Sequence, residues 1–351
     1  MYEQGVIRPP SEAQSLLIRV TRNCPWNQCM FCPAYKGVKF SRRTVDEVKK
    51  DIDSMEKEYA SYKNTIRSAF LQDADSLVLK TSDILETIRY TKEKFPGLER
   101  ITTYARATTL KRKTVEELRE LCKAGLTRIH VGLESGSEKV LKMIRKGITP
   151  EDIVEGGRKV VEAGISLSEY IMPGVGGRTM SSENAVETAR LLNHIKPDFI
   201  RVRTFAMHPM SPMHKLVEDG TFVVMNDAEI VAEIRLLVEN LDEMHSYFSC
   251  ADFSLNLLMQ VDGYLDEKKD YMLSELNRFL ALTPEQQKAY ALIRRSSYMQ
   301  YPLEAAENED LLSKIRPEIE KLEKEDPEGF YRYIETLKSY QLPQPQTDEW
   351  K

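Results

Sequence analysis

The chain has 351 residues, of which 41% are apolar, enough to bury a large core, so a disordered chain and a small disulfide-stapled domain are both excluded. The net charge of -5 supplies no overall basic field for a phosphate backbone, and nucleic acid is disfavoured as a partner. Met1 to Pro10 carry charges and prolines where a signal peptide needs an apolar core, and no apolar run reaches the ~18 residues of a membrane span. The expectation is a cytoplasmic protein with no membrane span.

Six β-rich runs are predicted along the first two thirds of the chain. The first, Leu16–Thr21, leads into a loop from Arg22 to Arg43 that holds Cys24, Cys29 and Cys32. Thr44-Val45-Asp46-Glu47 then fits a capping box and opens a helix. Strand two is Ser68–Gln72 and strand three Arg100–Tyr104. A second capping box at Thr114-Val115-Glu116-Glu117 opens a helix that stops at Ala124-Gly125, just before strand four, Arg128–Gly132. The next helix stops at Ala163-Gly164 before strand five, Ser166–Met172, and strand six is Phe199–Thr204.

This repeated helix, Ala-Gly and strand join is the pattern of βα units. Six such units can curl into an incomplete barrel or open into a doubly wound sheet. In either case ligands belong at the carboxyl ends of the strands, where the cysteine loop lies.

Past Pro209 the pattern reads as helical: Asp227–His245, Leu265–Leu282 and Leu311–Leu337, with a mixed charge run from Glu307 to Glu328 that suits a solvated face. Ser249 to Asn256 forms a polar island, read either as a cover over the active end or as a helix cap on Asp252 or Ser254. Leu342 to Lys351 reads as a mobile tail. The division expected is 1–220 for the βα region, 221–341 for the helical extension and 342–351 for the tail.

Three of the five cysteines fall within nine residues. In a cytosolic chain such spacing points to metal chemistry rather than disulfides. Three soft thiolates suit three corners of a [4Fe–4S] cluster and leave one iron open to an exchangeable ligand. Zinc, which normally takes four protein ligands, is the alternative; no His follows at finger spacing, and Cys122 would have to reach the loop from a helix. Cys122 and Cys250, each alone, read as small buried hydrophobes.

The loop Cys24-Pro-Trp-Asn-Gln-Cys29-Met-Phe31-Cys32 resembles the cluster loop of the radical S-adenosylmethionine (SAM) superfamily. That family ordinarily has three residues between the first two cysteines; here there are four, Pro25 to Gln28. The resemblance extends from about Ser15 to Gly220 and is nearest to the coproporphyrinogen oxidase and elongator-type branch. It implies an α/β fold, a partial (β/α)6 TIM-like barrel with a C-terminal helical extension.

It also implies a [4Fe–4S] cluster on Cys24, Cys29 and Cys32, and SAM as second cofactor. Candidate SAM contacts are Phe31 before the last cysteine, Gln72 and Asp73 after strand two, Tyr104 and Arg106 after strand three, Glu134 ending strand four, Lys146 beyond it and Ser168 on strand five. A carboxylate at Glu134 can accept from hydroxyls or an ammonium, and a cation at Lys146, or Arg145 beside it, can pair a carboxylate. For Asp73 and Asp75 a turn-capping role is the plainer reading. For Glu134 the plainer reading is an anion at a helix N-terminus.

The glycine-rich Pro173 to Arg178 could bring backbone amides near a ligand. Thr204 to Met213 resembles the family's closing turn, with His208 and His214 read as loop residues. The implied activity is reductive cleavage of SAM to a 5′-deoxyadenosyl radical that takes hydrogen from a small-molecule substrate. The implied electron donor is a flavodoxin or ferredoxin. A non-catalytic iron–sulfur or haem carrier on the same barrel and a zinc-stabilised structural protein are the competing readings. No second three-cysteine loop is present, and Pro33-Ala34 follow the last cysteine where coproporphyrinogen oxidases have another cysteine nearby.

Overall fold

In the computed structural model, which describes residues 2–297 and 301–342, the alternation of β and helical runs becomes a single curved parallel layer with helices outside it. The strands are β1 (Leu16–Arg19), β2 (Ser68–Gln72), β3 (Arg100–Ala105), β4 (Leu126–Glu134), β5 (Ser166–Ile171) and β6 (Phe199–Val202), followed by β7 (Tyr247–Ser249) and β8 (Asp262–Tyr264). They lie side by side in chain order, and each is parallel to the next through β7. β8 closes the series antiparallel to β7. Thr21–Arg22 and Ser41–Arg42 form a separate short ladder that ties the two ends of the cysteine loop together. The fold is the expected α/β class, a partial TIM-like barrel.

The helices of the βα region are α1 (Val45–Glu58), α2 (Thr81–Lys94), α3 (Ala107–Arg112), α4 (Val115–Ala124), α5 (Glu138–Met143), α6 (Pro150–Glu162) and α7 (Gly177–Ile195). Both expected capping boxes are formed, at Thr44 and Thr114. Thr149 makes a third with Asp152 at the start of α6. α4 ends at Gly125, which takes a φ of 122° that a side chain would resist.

Each strand presents two faces. On β4, Ile129, Val131 and Leu133 enter the main apolar core under the helices. His130, Gly132 and Glu134 face the barrel interior. That interior is polar at its base: Glu12 is fully buried and accepts from Ser15 Oγ at 2.5 Å and Arg100 Nη2 at 3.1 Å, with His130 Nε2 at 3.5 Å. Above it a run of rings, Phe70, Tyr104, His130, Tyr170 and Phe253, rises towards the mouth with centroids 5.1–6.0 Å apart. Aromatic pairs favour offset and edge contacts of this kind. Burial holds His130 down to about 4, so it is neutral in the native barrel.

The remaining helices are α8 (His214–Glu218), α9 (Asp227–Asn240), α10 (Leu265–Leu280), α11 (Pro284–Ser296), α12 (Glu309–Glu323) and α13 (Gly329–Ser339). α9 is bound to α11 by a buried Asp227–Arg295 pair at 2.7 Å. The part read from sequence as helical thus also contributes β7 and β8 to the sheet. Three-residue strands inside a polar stretch carry too few alternations to register as β period. The Leu311–Leu337 stretch is two helices with a turn between them. Of the expected mobile tail, all but Leu342 lies outside the described residues. Among the described residues no helix is long and apolar enough to cross a membrane.

Candidate functional site

The cysteine loop leaves the carboxyl end of β1 and is held by one carboxylate. Asp73, fully buried at the end of β2, accepts from Arg19 Nε at 2.9 Å and Nη2 at 2.7 Å. It also accepts from the Asn23 amide at 3.0 Å and the Tyr35 hydroxyl at 3.2 Å. Asn23 directly precedes Cys24, and Tyr35 follows Cys32 by three residues, so both ends of the loop are pinned to the same side chain. Asp73 is a brace rather than a group facing open space.

Between the first two cysteines, Asn27 has φ 48°, a left-handed conformation that asparagine tolerates. Its amide donates to the carbonyls of Val38 and Tyr35, and its own carbonyl accepts from Lys36 Nζ at 2.8 Å. Trp26, in the same segment, donates from Nε1 to Arg145 O at 2.7 Å and lies under the Arg106 guanidinium at 5.1 Å. Gly147 completes the seat: with φ 67°, a Cβ there would fall 2.3 Å from the indole.

Gly147→Ala is therefore expected to lower stability by about 2–4 kcal/mol, from the left-handed backbone plus displacement of Trp26. Gly164→Ala, also left-handed at φ 79° but facing open space, should cost only the backbone part, about 1–2 kcal/mol. Urea midpoints of the two variants check this; equal losses would remove the indole contact as the cause.

Cys24, Cys29 and Cys32 open on one cavity of about 260 Å³ at the carboxyl ends of the strands. The same cavity is lined by Phe31, Tyr104, Arg106, Glu134 and Lys146. Burial pushes the Cys29 thiol up to about 11, against the pull of Lys146, and raises Cys32 as well. Without metal these two are neutral thiols, and metal binding must displace their protons.

Glu134 ends β4 at φ 62°, a strained setting for a carboxylate, and its Oε1 meets Lys146 Nζ at 2.8 Å. A Cβ at Gly132 would lie 2.4 Å from that oxygen and 2.8 Å from that nitrogen, so the pair needs glycine there. Burial alone would draw the Lys146 ammonium down, but Glu134 and Cys29 outweigh it and the group is raised, hence charged at neutral pH. Arg145 is exposed and outside the cavity.

Arg106 donates to the carbonyls of Lys146 and Gly147, at 2.8 and 3.3 Å. Its own backbone N–H is fixed by Asp75, which also accepts from Thr109 Oγ1 at 2.6 Å. Burial lifts Asp75 from 3.8 to about 6, although these two hydrogen bonds oppose the rise. A carboxyl that holds its proton more tightly in the native state adds stability that is full below the unfolded value and lost as pH rises through about 6. Asp75→Asn should consequently melt above the parent at pH 7.5, by at most about 3 kcal/mol, and the gap should close at pH 4. A gap independent of pH would count against this account.

Three expected contacts stand elsewhere. Gln72 is buried and holds the N-terminal segment, accepting from Gly5 N at 2.9 Å and donating to Ile7 O at 3.0 Å. Asp73 is the brace described above. Ser168 is buried in the barrel and accepts from Arg201 Nε at 2.9 Å. In the glycine-rich turn, the Gly174 amide is engaged by buried Glu233 at 3.0 Å.

The polar island caps no helix. Asp252 pairs with Arg201, Asn256 binds Thr204 and the Val202 carbonyl, and Phe253 reaches the cavity. Sequence reasoning passed over Tyr170 and Arg203, which also line it. The available signal was Phe199-Ile-Arg-Val-Arg203, where cations alternate with aliphatics on one strand, as a strand beside a polar interior requires. A larger cavity of about 580 Å³ lies between α9, α11 and α13. It holds no cysteine, and the chemistry-bearing groups converge in the smaller one.

The donor set fits a cluster. Cys122 points from α4 to Gly164 O at 3.5 Å, away from the loop, and Cys250 is buried in the core. Among the described residues no three His, Cys, Asp or Glu side chains gather as a single ion requires. Three thiols spread around one cavity suit an iron–sulfur cluster, whose irons keep its ligands apart.

A partial parallel barrel with a three-cysteine loop at its carboxyl end defines an iron–sulfur enzyme of the β/α type. Residues 18–191 match the model of the Radical SAM superfamily, and the chain belongs to that superfamily of enzymes. Its cofactors are a [4Fe–4S] cluster and SAM.

The chain is 21% identical over 120 residues to a tRNA uridine(34) acetyltransferase of Methanocaldococcus infernus, covering 34% of this chain and 22% of that one. It is 27% identical over 163 residues to an uncharacterized methyltransferase of Pyrococcus horikoshii, covering 44% and 32%. The matches thus span about a fifth to a third of these relatives. Among solved structures, the cobalamin-dependent SAM radical enzyme OxsB with aqua-cobalamin and SAM bound aligns over 95% of this chain and 60% of its own. The TM-score is 0.50 at 14% identity, a likeness of fold.

Proposed function

We propose that the chain reductively cleaves SAM beside a [4Fe–4S] cluster carried on Cys24, Cys29 and Cys32, and abstracts hydrogen from a small-molecule substrate. When bound, the reduced cluster and SAM together supply a carbon-centred radical; the protein supplies position and exclusion of water. The observation that carries this reading is the convergence of three thiols and the Glu134–Lys146 pair on one cavity at the carboxyl ends of the strands.

In this reading the three thiolates hold the cluster and leave one of its four irons without a protein ligand. Lys146, charged and held in place by Glu134, pairs the SAM carboxylate. Glu134 keeps a second oxygen to accept from a hydroxyl or ammonium. Phe31, Tyr104 and Phe253 keep the chamber dry, and Arg106 with Trp26 closes its side. Residues 1–220 carry the chemistry, while 221–341 flank it and send Phe253 to the mouth. The electron comes from a flavodoxin or ferredoxin, and the cytoplasm is the reducing compartment such a cluster needs.

The test is anaerobic purification and reconstitution, followed by iron and sulfide analysis and chromatography for 5′-deoxyadenosine after dithionite reduction with SAM. A brown protein that forms 5′-deoxyadenosine is expected. Iron without SAM cleavage would leave the carrier reading standing in its place, and a colourless zinc protein would end both.

A further inference from the structure

The proposed function leaves the substrate unnamed, and one group in the cavity bears on it. Arg203 follows β6 on its inward face, half-buried, with its N–H bonded to Ile171 O at 2.9 Å. Two other cations of the chamber are committed, Lys146 to Glu134 and Arg106 to two carbonyls, and Arg8 lies exposed at its rim. Among the described residues, nothing accepts from the Arg203 guanidinium.

On the adjacent strand, opposite Arg201 and lining the same cavity as Arg203, Tyr170 is 7% exposed, and its hydroxyl is buried without a hydrogen-bond partner. A buried unpaired phenol and an unpaired guanidinium among Met172, Phe205 and Phe253 are each costly in a dry chamber. Both are donors, and one negative group would satisfy both. A guanidinium grips carboxylate or phosphate through two N–H groups, and a phenol adds a third donor.

Resting on the proposed SAM chemistry, we infer that Arg203 and Tyr170 form an anion subsite that holds the substrate by a carboxylate or phosphate group, separate from the SAM carboxylate at Lys146. The subsite selects substrates carrying a fixed negative charge and orients them over the mouth of the barrel. Arg8, exposed at the rim of the same cavity, adds attraction for an approaching anion.

The test uses the full chain, reconstituted and saturated with SAM, titrated by calorimetry with inorganic phosphate and, separately, with acetate. One of the two probes should bind in the millimolar range, and which one binds distinguishes a phosphate from a carboxylate substrate. Arg203→Ala should weaken that binding at least about tenfold and Tyr170→Phe a few-fold. Arg203→Lys, which keeps the charge and covers a folding failure of the alanine variant, should fall between parent and alanine. SAM affinity, by equilibrium dialysis, should change by less than about threefold in all three variants.

Binding of neither probe to the parent, or equal binding to the alanine variant, overturns the subsite. So does a tenfold loss of SAM affinity in the alanine variant, which would assign Arg203 to SAM itself. A parent that takes up no iron or no SAM refutes the proposed function instead; the same titrations of the metal-free chain then decide the subsite alone.

Discussion

Cys32→Ser protein, reconstituted without oxygen, is expected to hold little iron and to form 5′-deoxyadenosine only at background. The three cysteines reach the cavity from one loop, and among the described residues no fourth Cys or His stands ready to replace one of them. A serine hydroxyl is a harder donor and far less acidic than a thiol, and burial already pushes the Cys32 thiol up in this setting. The loss should exceed the ~100-fold that removal of a mere outer-shell partner costs. Cys24→Ser and Cys29→Ser should behave alike. Cys122→Ser, altered on α4 away from the loop, should keep its full iron. Colorimetric iron and the 400 nm region of the absorption spectrum decide the matter; a Cys32→Ser protein that stays brown and active would sink the cluster assignment.

Asp73→Ala is the second large effect. The carboxylate satisfies Arg19, whose side chain is only 7% exposed, and it also accepts from Asn23 and Tyr35. Its removal leaves a buried guanidinium with Asn23 Oδ1, the Gln4 carbonyl and the half-exposed Glu3 carboxylate at 3.7 Å as its remaining partners. Breaking one side of a buried ion pair costs about 3–5 kcal/mol. Asp73→Asn, which keeps shape but not charge, should lose somewhat less.

The two variants also separate a brace from a SAM contact. If Asp73 braces the loop, the urea midpoint and iron retention fall together, and SAM affinity falls only in proportion to lost iron. If it touches SAM, affinity falls while the midpoint holds. The loop geometry predicts the first outcome.

The periodic parts of the fold are legible in the sequence. Strands from Leu16 to Phe199 and the capping boxes at Thr44 and Thr114 depend on residues within a few positions of each other, and their physics is local. β7 was missed for the converse reason. Tyr247–Ser249 is three residues long and becomes a strand only because the open edge of β6 offers hydrogen bonds to it. The candidate site divides the same way. Cys24, Cys29 and Cys32 are legible because metal-binding spacing is a property of one short segment. Gln72, Asp73 and Ser168 enter as ligand contacts through the family resemblance, yet their partners lie 33 to 67 residues away.

The amino-acid order alone determined the βα alternation, the position of the cysteine loop at the carboxyl end of the barrel, and a donor set one short of a closed four-ligand site. Only the tertiary structure decided which carboxylate is spent on holding the loop and which faces the chamber. Asp73 and Glu134 are the same kind of group at equivalent strand ends. The first meets Arg19 across the β1–β2 pair, whereas the second meets Lys146 at the cavity wall. Strand pairing and packing set these meetings over long separations, and no local pattern encodes them. Arg203 and Tyr170 went unnoticed on the same grounds, since an unpaired donor is recognisable only once every neighbour has been placed.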